Sequence, residues 1–277
     1  METETDIEFT SEVKKGVASY KNIIKRIKHA RYRIAHFKNW YLLFPPFNRM
    51  EGERVLNLRE GTRFIVRSVY SKEGNTDFSI LREVWMGTAK HYGDLLDTDC
   101  IFDIGAHVGA SAIYLTKHTN AKIYAFEPDK DNFRILKRNV ELNGLQNRII
   151  PLNIAVWKKD EIVKLSVHAT NKGGHSITKT YENAHTYEVQ AKTISTILRE
   201  HNISRVSFLK CDVEGAEFEI FHNTPQEVFD KIDSGMIELH GKNQETYRVL
   251  KSFIQSKGYT TEFVVANMQR PDLRFYR

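Results

Sequence analysis

From Cys100 onward, short apolar runs alternate with longer amphipathic ones, and no other feature of the chain narrows its fold so far. CIFDIGA reads as a strand, GASAIYLTKH as a helix, KIYAFEP as a strand, NFRILKRNVELNG as a helix closed by glycine, and IIPLNIAV as a strand. A parallel pair of strands needs a crossover, and a helix between them supplies it, so this pattern predicts an α/β fold with helices on both faces of a mostly parallel sheet. VSFLKCDV and GMIELHG extend the series of strands. NQETYRVLKSFIQSKG reads as a helix, and YTTEFVVANM with LRFYR as a closing antiparallel pair.

Two segments precede this core. In residues 51–98, RVLNLREGTRFIVRSVY predicts short strands around a Glu60-Gly61 turn, and FSILREVWMGTAKHYGDLL predicts a helix. In residues 1–50, Val17, Tyr20, Ile24, Ile27 and Ile34 recur at helical spacing until Pro45 and Pro46 stop the pattern. The expected division is therefore a basic helical appendage over 1–50 and one domain over 51–277.

The formal net charge is +6, and it is unevenly placed. No acidic residue stands between Val13 and Met50, whereas Lys14, Lys15, Lys21, Lys25, Arg26, Lys28, Arg31, Arg33, Lys38 and Arg49 do. Such a local field attracts phosphate, an anionic sugar chain or a lipid surface, which leaves RNA and a peripheral membrane contact open as partners. No apolar run approaches the roughly 20 residues that span a bilayer, and the expected location is cytoplasmic, with contact at a membrane face left open. With Cys100 and Cys211 alone, both in apolar runs, neither a disulfide framework nor a thiol-rich zinc site is expected.

The ligand is predicted where the first strand turns into its helix. Asp103, Gly105 and Gly109 lie in that turn, where glycine lets backbone approach a ligand and helix-start amides offer donors. Glu127 ends the next strand, 18 residues beyond Gly109, where a carboxylate accepts hydrogen bonds from ribose hydroxyls. The spacing is not the dinucleotide G-x-G-x-x-G, and no Gly-Lys-Ser/Thr follows, so the pattern points away from NAD and from a nucleoside triphosphate.

DIGAHVG, then AFEPDKDNF, NIAVW and LKCDVEGAEFEIF together resemble the FkbM-type family of S-adenosylmethionine-dependent methyltransferases, over about residues 99–240. The resemblance implies a Rossmann-like class I methyltransferase with a seven-stranded sheet and S-adenosylmethionine as cofactor. It implies that Asp103, Gly105, Ala106, His107 and Gly109 lie beside the amino-acid part of that cofactor. Glu127 would hold the ribose, Pro128 and Asn132 the loop after it, and Asn153 and Ala155 the adenine, with Asp212 near the methyl group.

Candidate catalytic residues follow from charge at strand ends. Asp212, Glu214 and Glu217 gather at the junction after VSFLKCDV, where capping of a helix start is the competing reading for Glu214. In GMIELHG, Glu238 and His240 share a face, and His240 is a candidate base. Asp212, Glu238 and His240 are also chemically able to hold a divalent metal, but their spacing does not diagnose one, and no metal is assigned. The polar stretch 168–187 predicts a mobile loop or covering hairpin, with Gly174, His175 and Ser176 as acceptor contacts. Trp85 is a further wall candidate that competes with a role in the core.

The expected function is O-methylation of a hydroxyl on a saccharide or small metabolite by in-line transfer. The Asn/Asp-Pro-Pro-Tyr/Phe motif common in nitrogen methylation is replaced by DVEG. RNA methylation and a non-catalytic cofactor-binding protein are the alternatives, and the oligomeric state is left open.

Overall fold

The structure is a computed structural model that describes residues 27–50, 52–67, 77–86, 92, 95, 99–168, 174–179, 184–240, 244–267 and 270–277. The chain divides into two compact units, one of Met1–Met50 with Leu56–Arg63, the other of Glu51–Val55 with Phe64–Arg277.

In the first unit, helix α1 (27–36) is followed by single 3-10 turns at Trp40–Leu43 and Phe47–Arg49. The prolines at 45 and 46 separate those turns, as residues without an amide donor should. Buried Phe37 and Leu58 form an isolated antiparallel bridge, and the Asn39 side chain accepts the Asn57 amide at 2.9 Å. Val17, Tyr20, Ile24 and the basic residues through Arg26 lie outside the described residues. Strands β1 (Arg54–Asn57) and β2 (Arg63–Val66) form a two-stranded sheet about the expected turn, with Gly61 at a φ of 105°.

The second unit is built on seven strands. In chain order they are β3 (Cys100–Ile104), β4 (Lys122–Phe126), β5 (Ile149–Leu152), β9 (Phe208–Cys211), β10 (Ser234–Glu238), β11 (Thr260–Asn267) and β12 (Arg270–Tyr276). Their spatial order is β11-β12-β10-β9-β3-β4-β5, and β12 alone runs antiparallel to both its neighbours. Strand β3 is buried at all five positions, because helices cover both faces of a sheet made by crossovers. Phe102, Phe126, Leu209, Ile237, Leu273 and Phe275 belong to the continuous core.

The covering helices end where their caps dictate. Helix α2 (Asp77–Met86) precedes β3, and α3 (Ala110–Leu115) follows it. Helix α4 (Lys130–Leu142) starts at Asp129, whose side chain accepts the Asn132 amide at 2.7 Å. Its buried Ile135, Leu136, Asn139 and Val140 make one stripe, and Gly144, at a φ of 66°, closes it. Helices α5 (Ile194–Glu200), α6 (Glu217–His222), α7 (Gln226–Phe229) and α8 (Gln244–Ser256) complete the layers.

One strand expectation is corrected. IIPLNIAV is not continuous: β5 ends at Leu152, and β6 (Ala155–Val156) joins a second sheet of order β6-β8-β7 with β7 (Glu161–Val167) and β8 (His185–Lys192). Asn153 makes the break. Its side-chain amide donates to the carbonyls of Glu127 and Pro128, at 2.8 and 3.0 Å, and so ties the chain down between the two strands. Only the end of the expected 168–187 loop is strand, since β8 begins at His185; residues 169–173 and 180–183 lie outside the described residues.

Candidate functional site

At the C-terminal ends of β3, β4, β9 and β10 the second unit opens into a pocket of about 1330 Å³, its mouth included. Ligands of open α/β sheets bind at this edge. Gly105, Ala106, His107, Glu127, Pro128, Asn132 and Ala155 all line it, as do Asp212, Glu214, Glu238 and His175.

The turn after β3 departs from the expected cradle of amide donors. The Gly105 and Ala106 amides both donate to the Phe126 carbonyl, at 3.0 and 2.9 Å, the His107 amide donates to Glu127 Oε2 at 2.8 Å, and the Gly109 amide donates to Ala106. Amides spent in this way are not available to a pyrophosphate, which needs such donors at a helix start. The loop suits a nucleoside cofactor whose binding does not depend on phosphate.

Gly105 owes its identity to a close approach. At a φ of 82°, a Cβ on it would lie 1.8 Å from the Asp212 carbonyl oxygen, so no other residue fits between β3 and β9. Gly109, at a φ of 88°, is absent from the pocket wall; a Cβ there would meet Leu136 Cδ1 at 2.6 Å. Its role is to let α3 pack on α4, which corrects its expected place beside the cofactor.

Glu127 is buried, and each carboxylate oxygen accepts one backbone amide, Oε2 from His107 and Oε1 from Asp129 at 2.9 Å. Burial, with the neighbouring Asp129 charge, pushes its pKa up to about 7. The oxygens retain lone pairs for ribose hydroxyls. Asn132 lies within 3.4 Å of Glu127 and accepts from Arg67 at 2.7 Å, and Arg67 in turn forks onto buried Asp77. Ile154, Ala155, Val156, Leu165 and Ile177 give this end an apolar wall that suits a flat base. Asn153 is corrected: its amide is spent on two carbonyls, and it does not line the pocket.

The other end is acidic. Lys210, on β9, is the sole lysine or arginine in the described lining; its Nζ lies 3.1 Å from Asp103 and 3.8 Å from Asp212. Burial opposes the ammonium's charge, but the two carboxylates outweigh it and hold its pKa above the usual lysine range. Asp103 is fully buried beneath the lining, facing Lys210 rather than the pocket. Burial, and then the Glu238 charge, raise the Asp212 pKa well above the ordinary value, against the pull of Lys210 and His240.

His240 is surrounded by carboxylates, with Glu217, Glu238, Glu214 and Asp212 at 3.3, 3.4, 3.7 and 3.8 Å from its ring nitrogens. Burial would lower its pKa, but Glu217, Glu238 and Asp212 overcome that and push it up to about 11. An imidazolium has no lone pair to receive a proton, which argues against the expected base role and leaves the carboxylates. Glu214 sits at a φ of 53°, and His107 at 50°, left-handed conformations that cost a side-chain-bearing residue about 1–2 kcal/mol and gather at functional sites.

The covering segment contributes less to the pocket than expected. His175 and Ile177 line it, whereas Gly174 and Ser176 do not. The Ser176 hydroxyl donates to the Glu214 carbonyl at 3.1 Å and accepts the Thr178 and Lys179 amides, so it anchors the segment instead of facing an acceptor. Trp85, half-buried, packs edge-on to Phe64 and Tyr114 at 5.1 Å each and does not line the pocket, which favours the packing reading over the wall. Sequence reasoning missed Lys210 and Asp272, which enter the pocket from strands whose register it could not fix.

Residues 103–261, more than half the chain, match the family model of the methyltransferase FkbM domain. The chain is 26% identical over 217 residues to "Methyltransferase 1" of Beauveria bassiana, covering 71% of this chain and 86% of that protein. It is 26% identical over 189 residues to "Methyltransferase sdnD" of Sordaria araneosa, covering 57% and 73% respectively. Among solved structures, M. jannaschii TYW2 in complex with AdoMet aligns with a TM-score of 0.44 at 14% identity, over 82% of this chain and 88% of that one. The matched domain carries the turn after β3, Glu127 and the acidic strand ends alike, and the chain belongs to the FkbM family of S-adenosylmethionine-dependent methyltransferases.

Proposed function

We propose that the protein transfers the methyl group of S-adenosylmethionine to a hydroxyl oxygen of a neutral saccharide or small polyhydroxyl metabolite. The observation that carries this reading is the charge of the pocket's acceptor end. Glu83, Asp212, Glu214, Glu238 and Asp272 line it, with Lys210 as the sole lysine or arginine among the described lining residues, itself held by Asp103 and Asp212. Such a wall repels phosphates, which nucleic-acid sites attract with unpaired lysine and arginine. It suits hydroxyl groups, which donate to carboxylates.

The cofactor supplies an electrophilic methyl group on a positively charged sulfur. Glu127 would hold the ribose and the apolar wall at Ile154 to Val156 the base, while the turn at Gly105 sets the Asp212 strand end against the same pocket. The carboxylates at 212, 214 and 238 orient the acceptor hydroxyl and receive its proton, and tight placement of the oxygen supplies much of the rate.

The test is methyl transfer from labelled S-adenosylmethionine to parallel panels of neutral glycans, polyhydroxylated metabolites and RNA, with the methylated atom located by mass spectrometry and NMR. Transfer to a hydroxyl of a neutral acceptor is the expected result. Transfer to RNA alone, or to nitrogen, overturns the reading.

A further inference from the structure

Asp212, Glu238 and His240 stand at the ends of adjacent parallel strands, and each offers one ligand atom within 4.8 Å of the others. The Nε2 of His240 lies 3.4 Å from Glu238 Oε1 and 3.8 Å from Asp212 Oδ1. Two donors bound to one divalent ion at about 2.1 Å stand about 3.0–4.2 Å apart, so these three need only a slight closure to share an ion.

A second observation points the same way. The His240 side chain is 1% exposed, yet neither ring nitrogen has a hydrogen bond of acceptable geometry. Asp272, which pairs with Glu238 across β10 and β12, buries Oδ2 without a hydrogen-bond partner. Buried polar atoms are nearly always satisfied, and exceptions clustered at one point mark the place of a missing ligand.

Two neighbouring groups have contacts of their own. Lys210 addresses Asp103 and the second oxygen of Asp212, and Glu217 accepts the backbone amides of Gly215 and His240. Among the described residues, Asp212, Glu238 and Asp272 thus bring three carboxylates to one wall, with Lys210 and His240 as the basic side chains beside them.

We propose that Asp212 Oδ1, Glu238 Oε1 and His240 Nε2 hold a divalent cation of the first transition row, with its remaining positions directed into the pocket toward the acceptor oxygens. Two carboxylates with one imidazole suit an ion such as Mn²⁺ that accepts both oxygen and nitrogen. The ion takes the place of the imidazole proton, and a vicinal pair of acceptor hydroxyls fits its open positions. Receipt of the acceptor proton then falls to Glu214, outside the ligand set. The purpose assigned to the ion rests on the hydroxyl-methylation reading, while its binding does not.

The full-length protein, stripped with a chelator, is titrated with Mn²⁺ while the free-ion EPR signal is followed, and S-adenosylhomocysteine binding is measured in parallel by calorimetry. One Mn²⁺ per chain is expected, with imidazole-nitrogen modulation in pulsed EPR of the wild-type protein. Glu238→Gln and His240→Gln should each weaken Mn²⁺ binding by about tenfold or more while S-adenosylhomocysteine still binds. Wild-type protein that binds S-adenosylhomocysteine but takes up no Mn²⁺, or binds it without nitrogen modulation, overturns the proposal whether or not the variants fold. Methyl transfer to a neutral hydroxyl that persists undiminished in chelator would overturn it too and leave the hydroxyl-methylation reading standing.

Discussion

Asp103 and Lys210 are direct partners across β3 and β9, the central strand, and their charged ends meet at 3.1 Å, with Asp103 fully buried and Lys210 at the pocket wall. A buried pair of this kind contributes little against an apolar replacement, but losing one partner is expensive because the other charge is stranded. Lys210→Met should lower stability to urea by about 3–5 kcal/mol, and Asp103→Asn should also be strongly destabilising. The double variant should lose clearly less than the sum. Additive losses in that cycle would show that the two side chains act separately.

The two glycines of the turn after β3 should respond differently to alanine. In Gly105→Ala the added carbon collides with backbone, the Asp212 carbonyl, and the strand ends must separate. S-Adenosylhomocysteine binding should disappear. In Gly109→Ala the collision is with the flexible end of Leu136, so a cost of about 1–3 kcal/mol is expected, with cofactor affinity within a few-fold of wild type. Calorimetry and thermal melts on both variants separate the two roles, and equal losses of affinity would contradict the assignment.

Glu127 sets a pH dependence with opposite signs for binding and for stability. Its carboxyl titrates at about 7 in the folded protein, against 4.5 as the ordinary value. The folded state therefore holds this proton more tightly than the unfolded state, and its contribution to stability falls as pH rises from 4.5 to 7, by roughly 3 kcal/mol. Ribose hydroxyls donate best to the ionised form, so cofactor affinity should rise over the upper part of that range and level off above it. Calorimetric titrations with S-adenosylhomocysteine between pH 5.5 and 8.5 check this. A flat profile, or one that Glu127→Gln leaves unchanged, counts against Glu127 as the ribose ligand.

Much of the architecture was legible because parallel strands joined by helices leave a periodic trace. The sheet's membership, the closing antiparallel pair and the placement of Glu127 at a strand end all follow from that trace. Periodicity was silent on two matters. It does not show where a strand changes sheet, so the tie made by the Asn153 side chain went unseen. Nor does it fix register, so Lys210 is not singled out by the pattern although it faces Asp103 directly. The signal was nevertheless present, as two opposite charges in central strands that should otherwise be apolar. Trp85 and Gly109 are ambiguous in the sequence for a related reason, since aromatic and glycine residues serve packing as readily as ligands, and only neighbours such as Phe64 and Leu136 decide which.

The left-handed backbone at Glu214 supports a further expectation. A glycine would adopt this conformation without steric cost, so Glu214→Gly should leave stability unchanged or raise it by up to about 1 kcal/mol. Methyl transfer should nevertheless fall sharply, since the strained residue keeps a carboxylate at the acceptor end. Thermal melts read against turnover decide the matter. A variant that loses stability and activity together would make Glu214 a structural residue.

The position of β12 has a consequence for how the acidic end comes into being. This strand is made late in the chain yet lies inside the sheet, inserted between β10 and β11. It brings Asp272 beside Glu238, while Asp103 comes from the first strand of the sheet. The acceptor end is thus assembled from positions at opposite extremes of the domain and exists only after the last strand has docked. A chain shortened before Arg270 would lose Asp272 from this end and, with Leu273 and Phe275, part of the continuous core, and β11 would have no strand to pair with. The last strand to be made thus completes the acidic end and the sheet in one step.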